Sequence, residues 1–133
     1  MKLQIDLSQS GLAMVLKDYQ IEAMKMIWNA PKDLKGYSSR EVWNHVNKVL
    51  GPRGSSVPVG YVSPAISRAS IISFLNAMVD DGFLYFYDTT GKGGHRRIYN
   101  SKLEERLFWM RIIREAHKKL KEASGWTLVV KEE

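Results

Sequence analysis

Two stretches of the chain gather side chains suited to hydrogen-bonding a polyanion. The first, over 67–81, opens Ser67-Arg68-Ala69-Ser70 and runs through Ser73 to Asn76. Its residues Ile71, Leu75, Met78 and Val79 recur at i, i+4, i+7 and i+8, the spacing of one helix face. At 100° per residue, positions 69, 73 and 76 lie roughly opposite that stripe, with Ser70 on the flank and Arg68 in the first turn. A face meant only for water more often carries Glu and Lys. Small polar side chains instead let a helix lie deep in a groove, where Arg and Asn can pair with guanine and adenine edges. Ile72, at the edge of the stripe, reads either as core or as a contact to a thymine methyl group.

The second stretch is a glycine-rich turn, Thr90-Gly91-Lys92-Gly93-Gly94, followed by His95-Arg96-Arg97. Lys92, His95, Arg96 and Arg97 therefore cluster on and beside the tip of an expected β-hairpin, the basic region being 88–97. A protruding basic hairpin can follow a phosphate backbone or place a cation in the minor groove. Strand alternation sets the sides: if Ile98 faces the core, Arg97 and Tyr99 face away from it and Arg96 shares the side of Ile98. Gly91-Lys92-Gly93-Gly94 also has the composition of a phosphate-binding nest. It lacks Walker A spacing, and a hairpin turn accounts for it.

Enzymatic chemistry is not expected. The histidines, His45, His95 and His117, form no His-Glu-x-x-His pattern and stand at no metal-ligand spacing to Asp or Glu; a Gly-x-Ser-x-Gly elbow is absent. With no cysteine among 133 residues there is neither a disulfide framework nor a thiolate metal site. No cofactor is expected. The formal charge of +6 favours polyanionic partners. Between Gly91 and Lys121 ten Lys/Arg face three acids, so the excess sits in the second half. No apolar run reaches the length of a membrane span, and the start Met1-Lys2-Leu3-Gln4-Ile5-Asp6 lacks a secretory pattern. The expected location is the cytoplasm, with no membrane partner.

The elements that must position these residues follow from punctuation and periodicity. An N-terminal arm over 1–16 holds either a short helix at 6–10 or a strand at Leu3 and Ile5, packing on the domain or on a partner subunit. A helix over 18–29 is capped by Asp18, carries Ile21, Met24, Ile27 and Trp28, and ends before Pro31. A second opens on the capping box Ser38-Ser39-Arg40-Glu41, with Val42, Val46, Val49 and Leu50 as its stripe and Gly51-Pro52 as its stop. A loop follows over 51–63. The third helix spans 67–81, with Ser67 as cap and Gly82 as left-handed terminator. Strands are expected at 83–87 and 95–99, then a helix over 101–124 and a β-prone tail at 126–130. Apolar residues Leu107, Phe108, Ile112, Ala116 and Leu120 follow one side of the long helix.

Helix, helix, helix, hairpin, long helix is the order of a winged helix-turn-helix, an α+β and mainly α fold. Its expected parts are a DNA-binding domain over 17–100, a dimerisation helix over 101–124 and a tail over 125–133. Tyr19-Gln20-Ile21-Glu22-Ala23-Met24-Lys25-Met26-Ile27-Trp28, Ser39-Arg40-Glu41-Val42 and Ile66-Ser67-Arg68-Ala69-Ser70-Ile71-Ile72-Ser73-Phe74-Leu75 resemble the penicillinase-repressor (BlaI/MecI-like) regulators. So do Gly82-Phe83-Leu84 and the 91–99 hairpin. The resemblance implies a dimeric repressor of palindromic operators. Helix 67–81 would read bases through Arg68, Ser70, Ser73 and Asn76, and Lys92, Arg96 and Arg97 would contact backbone. The 51–63 loop is longer, and the C-terminal part shorter, than that family's pattern.

Dimerisation also has a physical argument. The long helix offers more apolar surface than one core contact needs, and an isologous contact would set two reading helices about one DNA turn apart. The competing expectation is a winged-helix module that docks proteins without reading DNA, since fold alone does not decide function. Two arrangements are incompatible with the DNA reading: burial of 67–81 on all sides, and hairpin arginines turned inward to partners within the fold.

Overall fold

A computed structural model of the chain describes residues 4–51, 66–91 and 94–126. In chain order it contains a 3-10 turn (Gly11–Met14), α1 (Asp18–Trp28), β1 (Tyr37–Ser38), α2 (Ser39–Leu50), α3 (Arg68–Asp80), β2 (Tyr85–Gly91), β3 (Gly94–Asn100) and α4 (Glu105–Ser124). The class is α+β and mainly helical, with an antiparallel sheet of order β1-β3-β2.

The helix starts follow local hydrogen bonding. Lys17, not Asp18, caps α1: its N–H donates to the Gln20 side chain at 3.0 Å. Asp18 instead lies in the first turn, where a carboxylate meets the positive helix end. At α2, Ser38 Oγ accepts from Glu41 N–H at 3.2 Å and Glu41 Oε1 accepts from Ser38 N–H at 3.1 Å, the reciprocal pair expected there. Ser67 Oγ accepts from Ser70 N–H at 3.1 Å and so caps α3.

Helical spacing then fills the core. Ala23, Met24 and Ile27 of α1, Val42, Val46 and Leu50 of α2, and Ile71, Phe74, Leu75 and Met78 of α3 are buried together. Val49 departs from expectation at 47% exposed, because Leu50 takes the inward place one turn after Val46. Phe74, which the i/i+4 pattern had not assigned, meets Tyr19 edge-on at 6.2 Å and joins α3 to α1.

Gly82, at φ +79°, turns the chain out of α3 as expected. The N–H groups of Phe83 and Leu84 then both donate to the Met78 carbonyl. Both side chains are buried, so β2 begins at Tyr85 rather than at Phe83. β2 pairs with β3 from Tyr85↔Asn100 to Gly91↔Gly94. β1 adds Tyr37↔Tyr99 and Ser38↔Ile98 on the far edge of β3. Two residues are too few for an alternation signal, and the pattern had shown no strand there. Gly36, at φ +141°, makes the approach possible, since a Cβ on it would run into the Tyr99 carbonyl oxygen.

In the arm, described residues 4–10 form neither the helix nor the strand expected. The Asp6 carboxylate accepts from the Ser8 N–H and hydroxyl instead, closing a turn. Leu12 is buried, with Val15 and Leu16 packed beside it, so the arm lies on its own domain.

At the other end, Ser101 Oγ lies 3.1 Å from the Phe83 carbonyl and 2.7 Å from that of Leu103, and accepts from Leu103 N–H. This turn delays α4 to Glu105. Phe108 packs among Trp28, Phe83 and Trp109 at ring distances of 5.3, 5.0 and 6.0 Å. Phe108 and Ile112, both expected at a dimer interface, are buried in the protomer's own core instead. The 51–63 loop beyond Gly51, and the tail beyond Trp126, lie outside the described residues. Among those described, no helix is long and apolar enough to cross a membrane.

Two substitutions check this packing by urea or thermal melting. Phe108→Ala is expected to cost about 3–5 kcal/mol through lost burial and the cavity left behind. Gly36→Ala is expected to cost more than about 1 kcal/mol, since both its dihedral and its space exclude a side chain. Near-neutral melts for both would place α4 and β1 outside the cooperative core.

Candidate nucleic-acid interface

Helix α3 is clamped at its start, in its middle and at its end, and is open along one side. At the start, the Trp43 indole N–H donates to the Ile66 carbonyl at 2.9 Å. Asn47 Oδ1 accepts from Ile66 N–H at 3.2 Å, and its amide reaches the Ile66 carbonyl at 3.3 Å. α2 therefore holds the residue just before the α3 cap. At the end, the Arg111 guanidinium donates to the Asp81 carbonyl at 2.7 Å and lies 4.3 Å over the Phe83 ring. That cation meets the negative pole of α3.

The middle clamp is Asn76. Its Oδ1 accepts from the Tyr99 hydroxyl at 2.6 Å and from Arg97 Nη1 at 3.1 Å. The Arg97 guanidinium also stacks 4.1 Å over Phe86. A carbonyl oxygen offers two lone pairs, and both are engaged. In this arrangement Asn76 cannot use that oxygen to read adenine; it joins the helix to the hairpin.

The hairpin alternates in the opposite sense to the one expected. Tyr99 is 2% exposed and faces the core, while Ile98 is only half-buried. The bulkier ring takes the inward place because its hydroxyl finds a partner there. His95, Arg97 and Tyr99 thus share the α3 side with Thr90, Asp88 and Phe86, which stand opposite them. Arg96 goes to the other face, opposite Thr89.

The open side of α3 carries Arg68, Ala69, Ser73 and Ala77, all exposed, with Ser70 half-buried beside them. Ser67 and Ser70 are also joined, hydroxyl to hydroxyl, at 2.9 Å. Asp80 closes the strip at the C-terminal end, so its charge runs from cation to acid along the helix. A shallow groove alongside is walled by Tyr19 and Gln20 of α1, two residues the pattern had not singled out. Asn47 and Arg111 were likewise missed, because their partners are backbone carbonyls far away in sequence.

Of the expected contact residues, Asn76 and Arg97 touch each other. Ser67, Arg68, Ser70 and Ser73 lie on or beside α3. His95 and Arg96 are exposed on the hairpin, and Lys92 lies outside the described residues. One hairpin arginine, Arg97, does turn inward, whereas Arg96 has the outward face. Of the expected dimer residues, Leu107 and Ala116 are half-buried and Leu120 is exposed.

Burial pushes the Tyr99 hydroxyl above the usual tyrosine range, while its bond to Arg97 pulls less strongly the other way. A raised folded value means that stability is fully present below about pH 10, where unfolded tyrosine ionises, and is lost as pH climbs beyond it. Tyr99→Phe is expected to cost about 1 kcal/mol at neutral pH by removing one donor from Asn76. It should also flatten the alkaline loss of stability; parallel denaturation curves for both proteins above about pH 10 would contradict the clamp.

Comparison with protein-family models, with curated proteins and with solved structures finds no match to this chain.

Proposed function

We propose that the chain is a winged helix-turn-helix protein that binds double-stranded DNA as a homodimeric transcriptional regulator, a repressor of a palindromic operator. In this reading the N-terminal half of α3 enters the major groove. The hairpin over 88–97 lies on the backbone or the minor groove. The observation that carries it is the small-residue strip of α3, Ala69, Ser73 and Ala77 with Arg68 at its start, held in one frame with the exposed hairpin by Asn76. A helix reads base edges mainly through its N-terminal residues, and there the strip is cationic and free of acids. Direct readout falls to Arg68, Ser70 and Ser73, since the oxygen of Asn76 is engaged. Arg96, on the outer hairpin face, is the backbone contact.

The inward turn of Arg97 favours a second reading. With one hairpin cation and Asn76 committed to the fold, the same frame suits a protein-docking module that makes no base contact. Selection of bound fragments from a random duplex pool separates the two, because a docking module enriches no sequence.

Two substitutions refine the DNA reading. Arg68→Ala is expected to weaken operator binding by about 1–3 kcal/mol and relax base preference at one position. Arg96→Ala is expected to weaken all duplexes alike and lower the slope of log affinity against log salt by about one. Unchanged fluorescence titrations for both variants would sink the assignment.

A further inference from the structure

The domain side of α4 is settled by Phe108, Ile112 and Arg111, which leaves its opposite side bare. Met110 is 48% exposed, Ile113 64% and Leu120 69%. With His117 they fall at i, i+3, i+7 and i+10, the a and d positions of two heptads. From His117 to Trp126 every residue is exposed, so the last two turns of α4 draw no support from the core. Helices persist in proteins mainly by packing an amphipathic face.

The residues flanking this seam select its occupant. One flank carries the e positions, Arg114 and Lys121, and the other carries the g positions, Trp109 and Ala116. Two copies running antiparallel bring e against e, setting Arg114 of each opposite Lys121 of the other, a like-charge pair on both sides. Two copies running parallel bring g against e. Trp109 then meets Arg114 of the second copy, and Ala116 meets its Lys121, with no like charges opposed. Parallel pairing also stacks each seam residue on its own counterpart, so His117 faces His117 of the second copy. A single polar layer of this kind sets register.

The geometry points to a parallel, in-register pairing of α4 with a second copy of this chain, through Met110, Ile113, His117 and Leu120. The inference rests on the homodimer of the preceding reading and adds its orientation and its dependence on pH. The groove over His117 is lined by Met110, Ile113, Arg114, Lys118 and Lys121 of the same helix, with no acid among them. In the pair, the same cations of the second copy face it as well. Histidine gains charge as pH falls between about 8 and 5. A charged His117 layer adds like charge to like charge, and the dimer weakens as the solution is acidified.

The chain has no cysteine, so thiols introduced singly report the orientation. In the parallel pair, Leu120→Cys lies beside its own copy and cross-links under mild oxidation, as does Met110→Cys. In the antiparallel pair position 120 faces 110, so like thiols sit about 15 Å apart. Only a mixture of the two variants then cross-links. Light scattering on the unmodified full chain should give twice 15.2 kDa at about pH 8, with a falling mass towards about pH 5.5. His117→Leu should hold the dimer at both. Cross-linking only in the mixture, or a dimer indifferent to pH, overturns the parallel seam and leaves the homodimer standing. A monomer at every concentration overturns both, including the case where an acidic helical peptide then occupies the face. None of these outcomes depends on DNA.

Discussion

The Oδ1 atom of Asn76, accepting from Tyr99 and Arg97 together, is where α3 and the hairpin become one surface. Everything presented by the hairpin follows from that junction through strand alternation. With Tyr99 inward, Arg97 must lie on the α3 side and Arg96 on the other. The bonds are individually modest, roughly 1 kcal/mol each. Their effect is geometric: the angle between helix and hairpin is set by two donors on adjacent same-face positions, and Phe86 supports the longer one from below.

The same logic runs along the rest of α3. Asn47 and Trp43 hold the residue before its cap, and Arg111 holds the carbonyl at its end. All of these partners come from elements on sides other than the open strip, so the strip stays free while the helix is held. They also divide the cations by task. Arg97 and Arg111 each stack on a phenylalanine and bond within the fold. The formal charge of +6 therefore overstates the charge free to meet a polyanion.

What the sequence made legible is what depends on neighbours three or four residues away. The Ser38–Glu41 box, the Ser67 cap, the left-handed Gly82 and the inward faces of α2 and α3 are all local. What it did not make legible depends on competition across the fold. Ile98 and Tyr99 are both apolar enough to face inward, and only the position of Asn76 decides between them. Phe83 and Leu84 have strand composition but are drawn into the end of α3 by Met78. Phe108 and Ile112 looked like surplus on a lone helix; Trp28 and Phe83 are what they cover. β1 is a pairing of two residues admitted by one glycine. Of the candidate interface, the residue types on α3 were readable, while the commitment of Asn76 and Arg97 was not.

These divisions give the molecule two surfaces of unlike chemistry. A protein partner is usually anchored by large apolar or aromatic side chains in a desolvated patch. The strip of α3 has none: alanine, serine and an arginine give it little to bury and several groups to hydrate. It suits a wet, charged partner, of which a nucleic-acid groove is the commonest kind. The outer side of α4 is the reverse, with Met110, Ile113 and Leu120 uncovered between cations. Since α3 and α4 are locked together through Arg111 and Asp81, whatever covers α4 also sets where α3 points. In a symmetric pair the spacing of two such helices is a rigid property of the assembly. Sequence preference would then lie as much in that spacing as in the few side chains that touch a base.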